Sequence, residues 1–196
     1  MYISRILEGI SRFVIMTVMA VIANSCISTT EESTVIAPEE ITELKVGDNL
    51  PSFQAQMVIP DTADWRYMRN ASHQAGNYRY EAKTGLRAVI VFFHTECEDC
   101  QKEFPVLQNL YNIIKENASY EFVCIARSQT KEEIDAYWKK ESLTLPYSPQ
   151  TTRSIYNLFA AAGIPRIYIT DTKGKISHIF TDKDYPSVEQ LKEALI

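Results

Sequence analysis

The spacing of apolar positions changes several times along the chain, and each change marks an element. Residues 88–93, Ala-Val-Ile-Val-Phe-Phe, form a short uninterrupted apolar run, the pattern of a strand covered on both faces and therefore central in its sheet. Farther on, Cys100, Phe104, Leu107, Leu110, Tyr111 and Ile114 recur at steps of three or four. That spacing lines them along one stripe of a helix, which Pro105 is expected to bend. Glu121 to Ala126 reads as a second strand. Thr130 and Glu133 then offer a capping box ahead of a helix face made by Ile134, Tyr137 and Trp138. A further helix is expected over Ile155, Leu158, Phe159 and Ala162, with Gly163 as its left-handed terminating residue. Arg166–Thr170 and Lys175–Phe180 flank Asp171-Thr-Lys-Gly174 as a hairpin. Ser187 with Gln190 supplies a second capping box for a closing helix.

Strands joined by helices, then an antiparallel hairpin and a last helix, predict the α/β class: a mixed sheet flanked by helices. Phe53 to Ile59 is expected to be a strand of an N-terminal β extension. Asp61 to Thr84, which carries Trp65, Tyr67, Tyr78 and Tyr80, shows no clean period and stays unassigned. Upstream, Ser28 to Glu43 is polar, with Glu31, Glu32, Glu39, Glu40 and Pro38, and fits a solvated tether that cannot build a core. The run Phe13–Ala23, preceded by Arg5 and Arg12, falls short of the ~20 apolar residues of a spanning helix but suits the apolar core of an export signal. The expected organisation is a signal peptide over 1–25, a linker over 26–45 and one globular domain over 46–196.

The 196 residues are 45% hydrophobic with a formal net charge of -5, enough apolar material for one sizeable core. No Lys/Arg-rich block or basic stripe occurs, which argues against nucleic acid as a partner. Of the four cysteines, Cys124 sits in an apolar run and reads as a buried, inert thiol. Cys97 and Cys100 would close too small a loop to constrain a fold, so they read as a chemical pair. Opening a helix after a buried strand, Cys97 would lie where the helix dipole and free N–H groups stabilise a thiolate. It is the expected nucleophile, and Cys100, one turn on, the resolving thiol. The alternative is zinc, which wants four ligands. No second Cys pair exists and the only histidines are His73, His94 and His178, so redox chemistry is favoured over metal, with no cofactor beyond the dithiol. Glu98 and Asp99 lie between the sulfurs. At ~6 Å and an effective dielectric of ~20 each would disfavour a thiolate by at most ~3 kcal/mol before solvent screening, a sign that favours electron donation.

Three segments carry a resemblance: Val91-Phe-Phe-His-Thr-Glu-Cys97-Glu-Asp-Cys100-Gln-Lys-Glu103-Phe-Pro105, Gly163-Ile164-Pro165 with the following hairpin, and Val46-Gly-Asp-Asn-Leu-Pro51-Ser-Phe53. Together they resemble the TlpA/ResA-like branch of the thioredoxin superfamily, extracytoplasmic thiol-disulfide oxidoreductases. The resemblance implies a thioredoxin-like sheet, a disulfide-bearing protein substrate and a thiol electron donor. It also implies a proton-handling role for Glu103, and a cis bond between Ile164 and Pro165 that exposes the Ile164 backbone to an extended substrate. Glu96, Asp99 and Arg166 depart from the family's usual tryptophan, proline and threonine. Ala23-Asn24-Ser25-Cys26 resembles a bacterial lipoprotein signal, which implies lipid attachment at Cys26 and a membrane-anchored protein facing the periplasm or cell surface. The competing functions are a peroxide reductase, since the domain opening is shared but no activating proline precedes Cys97, and a non-catalytic binding lipoprotein on the same scaffold.

Overall fold

The structure, a computed structural model, describes residues 43–60, 77–80 and 85–196, all within the compact unit Glu40–Ile196. The expected signal peptide, Cys26, most of the linker, His73 and most of the 61–84 stretch lie outside the described residues. No described helix is long and apolar enough to cross a membrane.

The central strand is β3, Arg87–Phe93, whose uninterrupted apolar run is buried from Ala88 to Phe93. It pairs in parallel with β4, Tyr120–Ala126, and antiparallel with β6, Arg166–Thr170. β6 continues antiparallel into β7, Ile176–Phe180, and β4 pairs in parallel with the two-residue β5, Tyr147–Ser148. The order is therefore β5-β4-β3-β6-β7, beside a separate two-stranded sheet of β1, Phe53–Gln56, and β2, Asn77–Tyr80. β2 and β5 carry no readable apolar period, one in the unassigned stretch and one only two residues long.

Successive side chains of β3 point to opposite faces. Phe93 meets Phe104 of α1, Glu98–Ile114, and Trp138 of α2, Lys131–Glu141, at ring-centroid distances of 5.6 and 5.1 Å. Phe92 points the other way, into edge-on contacts with Tyr156, Phe159 and Tyr168 at 5.3, 4.7 and 6.1 Å. The stripe read from the sequence is the buried side of α1, which runs through Pro105. Both capping boxes form: Thr130 with Glu133 starts α2, and Ser187 with Gln190 starts α3, Val188–Ala194, which packs on α1.

One expected element is corrected. Ile155 to Ala162 forms no α-helix but a single 3-10 turn over Tyr156–Leu158. Leu158, placed on the inner stripe by the spacing, is 45% exposed. Tyr156 and Phe159 turn inward against Phe92 instead. The carbonyls of residues 161–163 are taken by Arg153, Arg166 and Tyr156 side chains rather than by following amides. Gly163 does have a left-handed φ of +84°. It opens the approach to Pro165 rather than ending a helix.

The chain is stitched to the sheet slightly ahead of Val46. The Leu44 amide donates to the Phe159 carbonyl (2.9 Å), and Glu43 pairs with Arg166 (2.7 Å), whose side chain is nearly enclosed. Arg166 also donates through Nε to the Ala162 carbonyl (2.9 Å). A buried guanidinium that loses its carboxylate keeps the desolvation cost without the compensation. Glu43→Gln should therefore lower unfolding free energy by about 1–2 kcal/mol, discounted for the half-exposed Glu43. A urea midpoint unchanged from wild type would show that the pair contributes nothing.

Candidate active site

β3 ends at Phe93, and the chain turns there through His94 to Cys97, whose amide donates to the His94 carbonyl (3.1 Å). Cys97 is the N-cap of α1, with extended backbone angles of φ -83° and ψ 115°. Its sulfur accepts from the Cys100 amide at 3.5 Å, so it occupies the position where a helix offers unpaired N–H groups and the positive end of its dipole. The thiol also reaches the Ile164 carbonyl at 3.5 Å. That contact joins the CxxC turn to the loop before β6, where the Ile164–Pro165 bond is cis. The residue that meets the sulfur is thus Ile164, through its carbonyl, with Pro165 following it across the cis bond.

The two thiols differ in access. Cys97 is half-buried, while Cys100 is 1% exposed. Burial above all, and then the hydrogen bond with Cys97, pushes the Cys100 thiol up. The pair is therefore asymmetric, one sulfur reachable from solvent and one behind it. Cys124 lies in β4, fully enclosed, and burial pushes its thiol up as well.

Glu103 is three residues beyond Cys100 on the same buried side of α1. It is only 3% exposed, and its Oε1 has no hydrogen-bond partner. A buried carboxylate without a partner resists ionisation, and burial raises Glu103 to about 7. Asp99, on the exposed side of the same helix, behaves oppositely. Hydrogen bonds from Lys102 (2.9 Å) and then Tyr185 lower it below the usual carboxylate range. Its charge is thus engaged by Lys102 and Tyr185, away from the sulfurs.

Several residues that hold the site carried no signal in the spacing. The buried Thr95 donates its amide to Gln129 Oε1 (2.8 Å) and accepts from Gln129 Nε2 at its hydroxyl (2.7 Å). The Thr95 carbonyl accepts from Gln101 Nε2 (2.6 Å). Gln129 was findable only by its place just after β4, at the strand ends where sites in parallel sheets form. Tyr156 donates its hydroxyl to the Gly163 carbonyl (2.7 Å), next to Ile164. Of the histidines, His94 accepts the Glu96 amide at Nδ1 (3.2 Å) and His178 is exposed on β7 beside Ser177. The described residues bring together no group of three or more metal-ligating side chains.

The comparisons agree with this geometry. The Redoxin family profile matches residues 45–195. The chain is similar to the thiol-disulfide oxidoreductase ResA of Geobacillus kaustophilus, 23% identical over 142 residues that make up 72% of either chain. It is also similar to ResA of Bacillus subtilis, 26% identical over 97 residues, 50% of this chain and 54% of that one. Among solved structures, StoA of Bacillus subtilis superposes with a TM-score of 0.57 at 18% identity, covering 74% of this chain and 97% of StoA. The thioredoxin domain of a thiol-disulfide oxidoreductase from Bacteroides vulgatus does so with a TM-score of 0.57 at 16% identity, covering 79% of this chain and 100% of that domain. These superpositions show the thioredoxin-like fold. With the profile spanning nearly every described residue, the chain belongs to the Redoxin family, in its TlpA/ResA-like group of thiol-disulfide oxidoreductases.

Proposed function

We propose that the protein reduces disulfides outside the cytoplasm, with Cys97 as the nucleophile, Cys100 as the resolving thiol and Glu103 as the proton acceptor. One observation carries the reading: an accessible sulfur at a helix N-terminus, touching the Ile164 carbonyl, with its partner thiol enclosed directly behind it. The Cys97 thiolate attacks one sulfur of the substrate disulfide. A Cys97–substrate bond forms, the substrate S–S bond breaks, and the first substrate thiolate leaves. Cys100 then attacks the Cys97 sulfur, which releases the second substrate thiolate and leaves the protein oxidised by two electrons as the Cys97–Cys100 disulfide. A thiol donor restores the dithiol. The substrate chain would lie extended against Ile164 and Pro165, as in strand addition.

The resolving step needs help. Cys100 is a thiol held protonated by burial, so its proton must leave before it can attack. Glu103, poised near neutrality one turn away, is suited to take it.

The lipoprotein-like segment supports attachment of acyl chains at Cys26 and a membrane-anchored location. More than one chain, at ~0.8 kcal/mol per buried CH2, would hold the domain at the surface. No activating proline precedes Cys97, which tells against peroxide as substrate, and an accessible Cys97 beside an enclosed Cys100 suits exchange chemistry better than a passive scaffold.

Three measurements test this reading. Wild type should reduce insulin disulfides and Cys97→Ser should not, whereas Cys100→Ser should accumulate mixed disulfides on a non-reducing gel; a Cys97→Ser protein as active as wild type ends the proposal. For Glu103, raised from 4.5 to about 7, the unfolded chain loses its proton first. Stability present below pH 4.5 should thus fall, by up to about 3 kcal/mol, as pH rises toward 7 and then level off. Glu103→Gln should lack that fall and should slow resolution of the mixed disulfide by on the order of 10²-fold. Equal pH slopes in urea titrations of the two proteins would refute the assignment. Finally, cells given a clickable fatty acid should label wild type but not Cys26→Ser.

A further inference from the structure

Two arginines meet on the ring of Tyr156, whose hydroxyl holds the loop that reaches the dithiol, and take no part in the exchange. Arg127 follows β4 directly, and its amide donates to the Phe93 carbonyl (2.8 Å). It therefore stands at the same strand end from which the Cys97 turn departs. Arg153 lies in the loop that enters the 3-10 turn. Both guanidinium groups lie against the ring of Tyr156, with their carbons 5.3 and 5.2 Å from its centroid. Tyr156 is buried, and its hydroxyl holds the Gly163 carbonyl (2.7 Å). The next carbonyl, that of Ile164, meets the Cys97 sulfur. A short relay of contacts thus connects the arginine pair to the reacting atom. Arg127 is also close enough for its charge to favour ionisation of Cys100.

Among the described residues, neither arginine is in an ion pair with a carboxylate. Arg153 donates one Nη to the Ala161 carbonyl (2.7 Å), which leaves its other donors to solvent. Arg127 is half-buried and Arg153 exposed. In a chain of net charge -5, two cations brought onto one ring without a carboxylate between them keep their charge for something else. Stacking on an aromatic face partly desolvates a guanidinium and fixes its fork, which suits it to a carboxylate. Glu96 and Glu98 are exposed at the start of α1, and Asp182 lies beside Gly163, its Oδ1 3.2 Å from where a Cβ would stand there. The two guanidinium groups on Tyr156 are thus cations in a surrounding that is otherwise acidic.

We propose that Arg127 and Arg153 are specificity residues that select disulfides in extended chain segments carrying an aspartate or glutamate one or two positions from the reacting cysteine. The inference rests on the oxidoreductase reading and names its substrate class. The substrate backbone follows Ile164, its sulfur meets Cys97, and its carboxylate is received by the two guanidinium groups over Tyr156. A lysine at that substrate position would meet like charge.

The test uses two disulfide-bridged peptides that differ only in Asp or Asn beside one cysteine. Wild type should reduce the Asp peptide with a kcat/KM about tenfold higher, the difference residing in KM, and the preference should shrink at about 0.5 M salt. In Arg127→Gln/Arg153→Gln the ratio between the peptides should fall to near one, and Arg127→Lys/Arg153→Lys should recover part of it. A wild-type ratio near one, a preference indifferent to salt, or a ratio unchanged in the glutamine double variant would each overturn the inference while leaving the oxidoreductase intact. A protein inert towards both peptides would remove the oxidoreductase reading and this inference together.

Discussion

The structure depends on a single sulfur being held between two backbone groups that belong to distant parts of the chain. The amide of Cys100 and the carbonyl of Ile164 both meet Cys97 Sγ at 3.5 Å. The first partner comes with the helix that Cys97 itself caps. The second lies 67 residues away in sequence, and only the antiparallel pairing of β3 with β6 brings it in. In that register Phe92 faces Arg166, so the last residues of β3 and the first of β6 leave the sheet at the same end. A buried central strand is what makes this convergence firm. Strand ends anchored by residues with no solvent exposure do not drift, and a loop built on them inherits their position.

The Ile164 carbonyl could not be held by β6 alone, because the segment before it is irregular. Backbone carbonyls outside helices and sheets must still find donors, or their desolvation weakens the fold. Here each of five successive carbonyls but one takes a side-chain donor: Phe159 from the Tyr168 hydroxyl, Ala161 from Arg153, Ala162 from Arg166 and Gly163 from Tyr156. The loop thus has the hydrogen-bond satisfaction of a helix without its geometry. Glu43 completes the set by compensating the charge of the enclosed Arg166. The irregular backbone beside the sulfur is held in place by these donors.

This also explains what the sequence disclosed and what it hid. Burial leaves a periodic trace, so β3, β4, the stripe of α1 and the hairpin of β6 and β7 were legible. Capping chemistry is local, so Thr130 with Glu133 and Ser187 with Gln190 marked their helices correctly. The failure at 155–162 has the opposite cause. Its apolar residues repeat at helical steps, yet Arg153, Tyr156 and Arg166 supply donors from across the loop, and tertiary hydrogen bonds override a weak local preference. β5 is two residues long and β2 sits in a stretch without alternation, so neither could announce itself. Within the site, the dithiol, Glu103 and Ile164–Pro165 came from motif and resemblance. Gln129, Gln101 and Tyr156 act by orientation alone, which leaves no mark in residue spacing.

Glu103 and Asp99 show how one helix makes two different acids. They are four residues apart, yet Asp99 points to solvent, where Lys102 and the Tyr185 hydroxyl stabilise its ionised form. Glu103 points into the core, where its Oε1 has no donor at all. Environments that push two carboxyl groups apart in this way assign their roles: the one kept ionised supplies a standing charge, and the one raised towards neutrality can exchange a proton. A structural carboxylate buried this deeply would be expected to carry a compensating partner, because an unpaired one destabilises the fold at neutral pH without return. Glu103, without a donor at Oε1 and on the same buried side of the helix as Cys100, is the arrangement on which the proposed proton transfer rests. The same reasoning separates Cys100 from Cys124. Both thiols are enclosed and pushed up by burial, but only Cys100 stands beside a second, more accessible sulfur, that of Cys97.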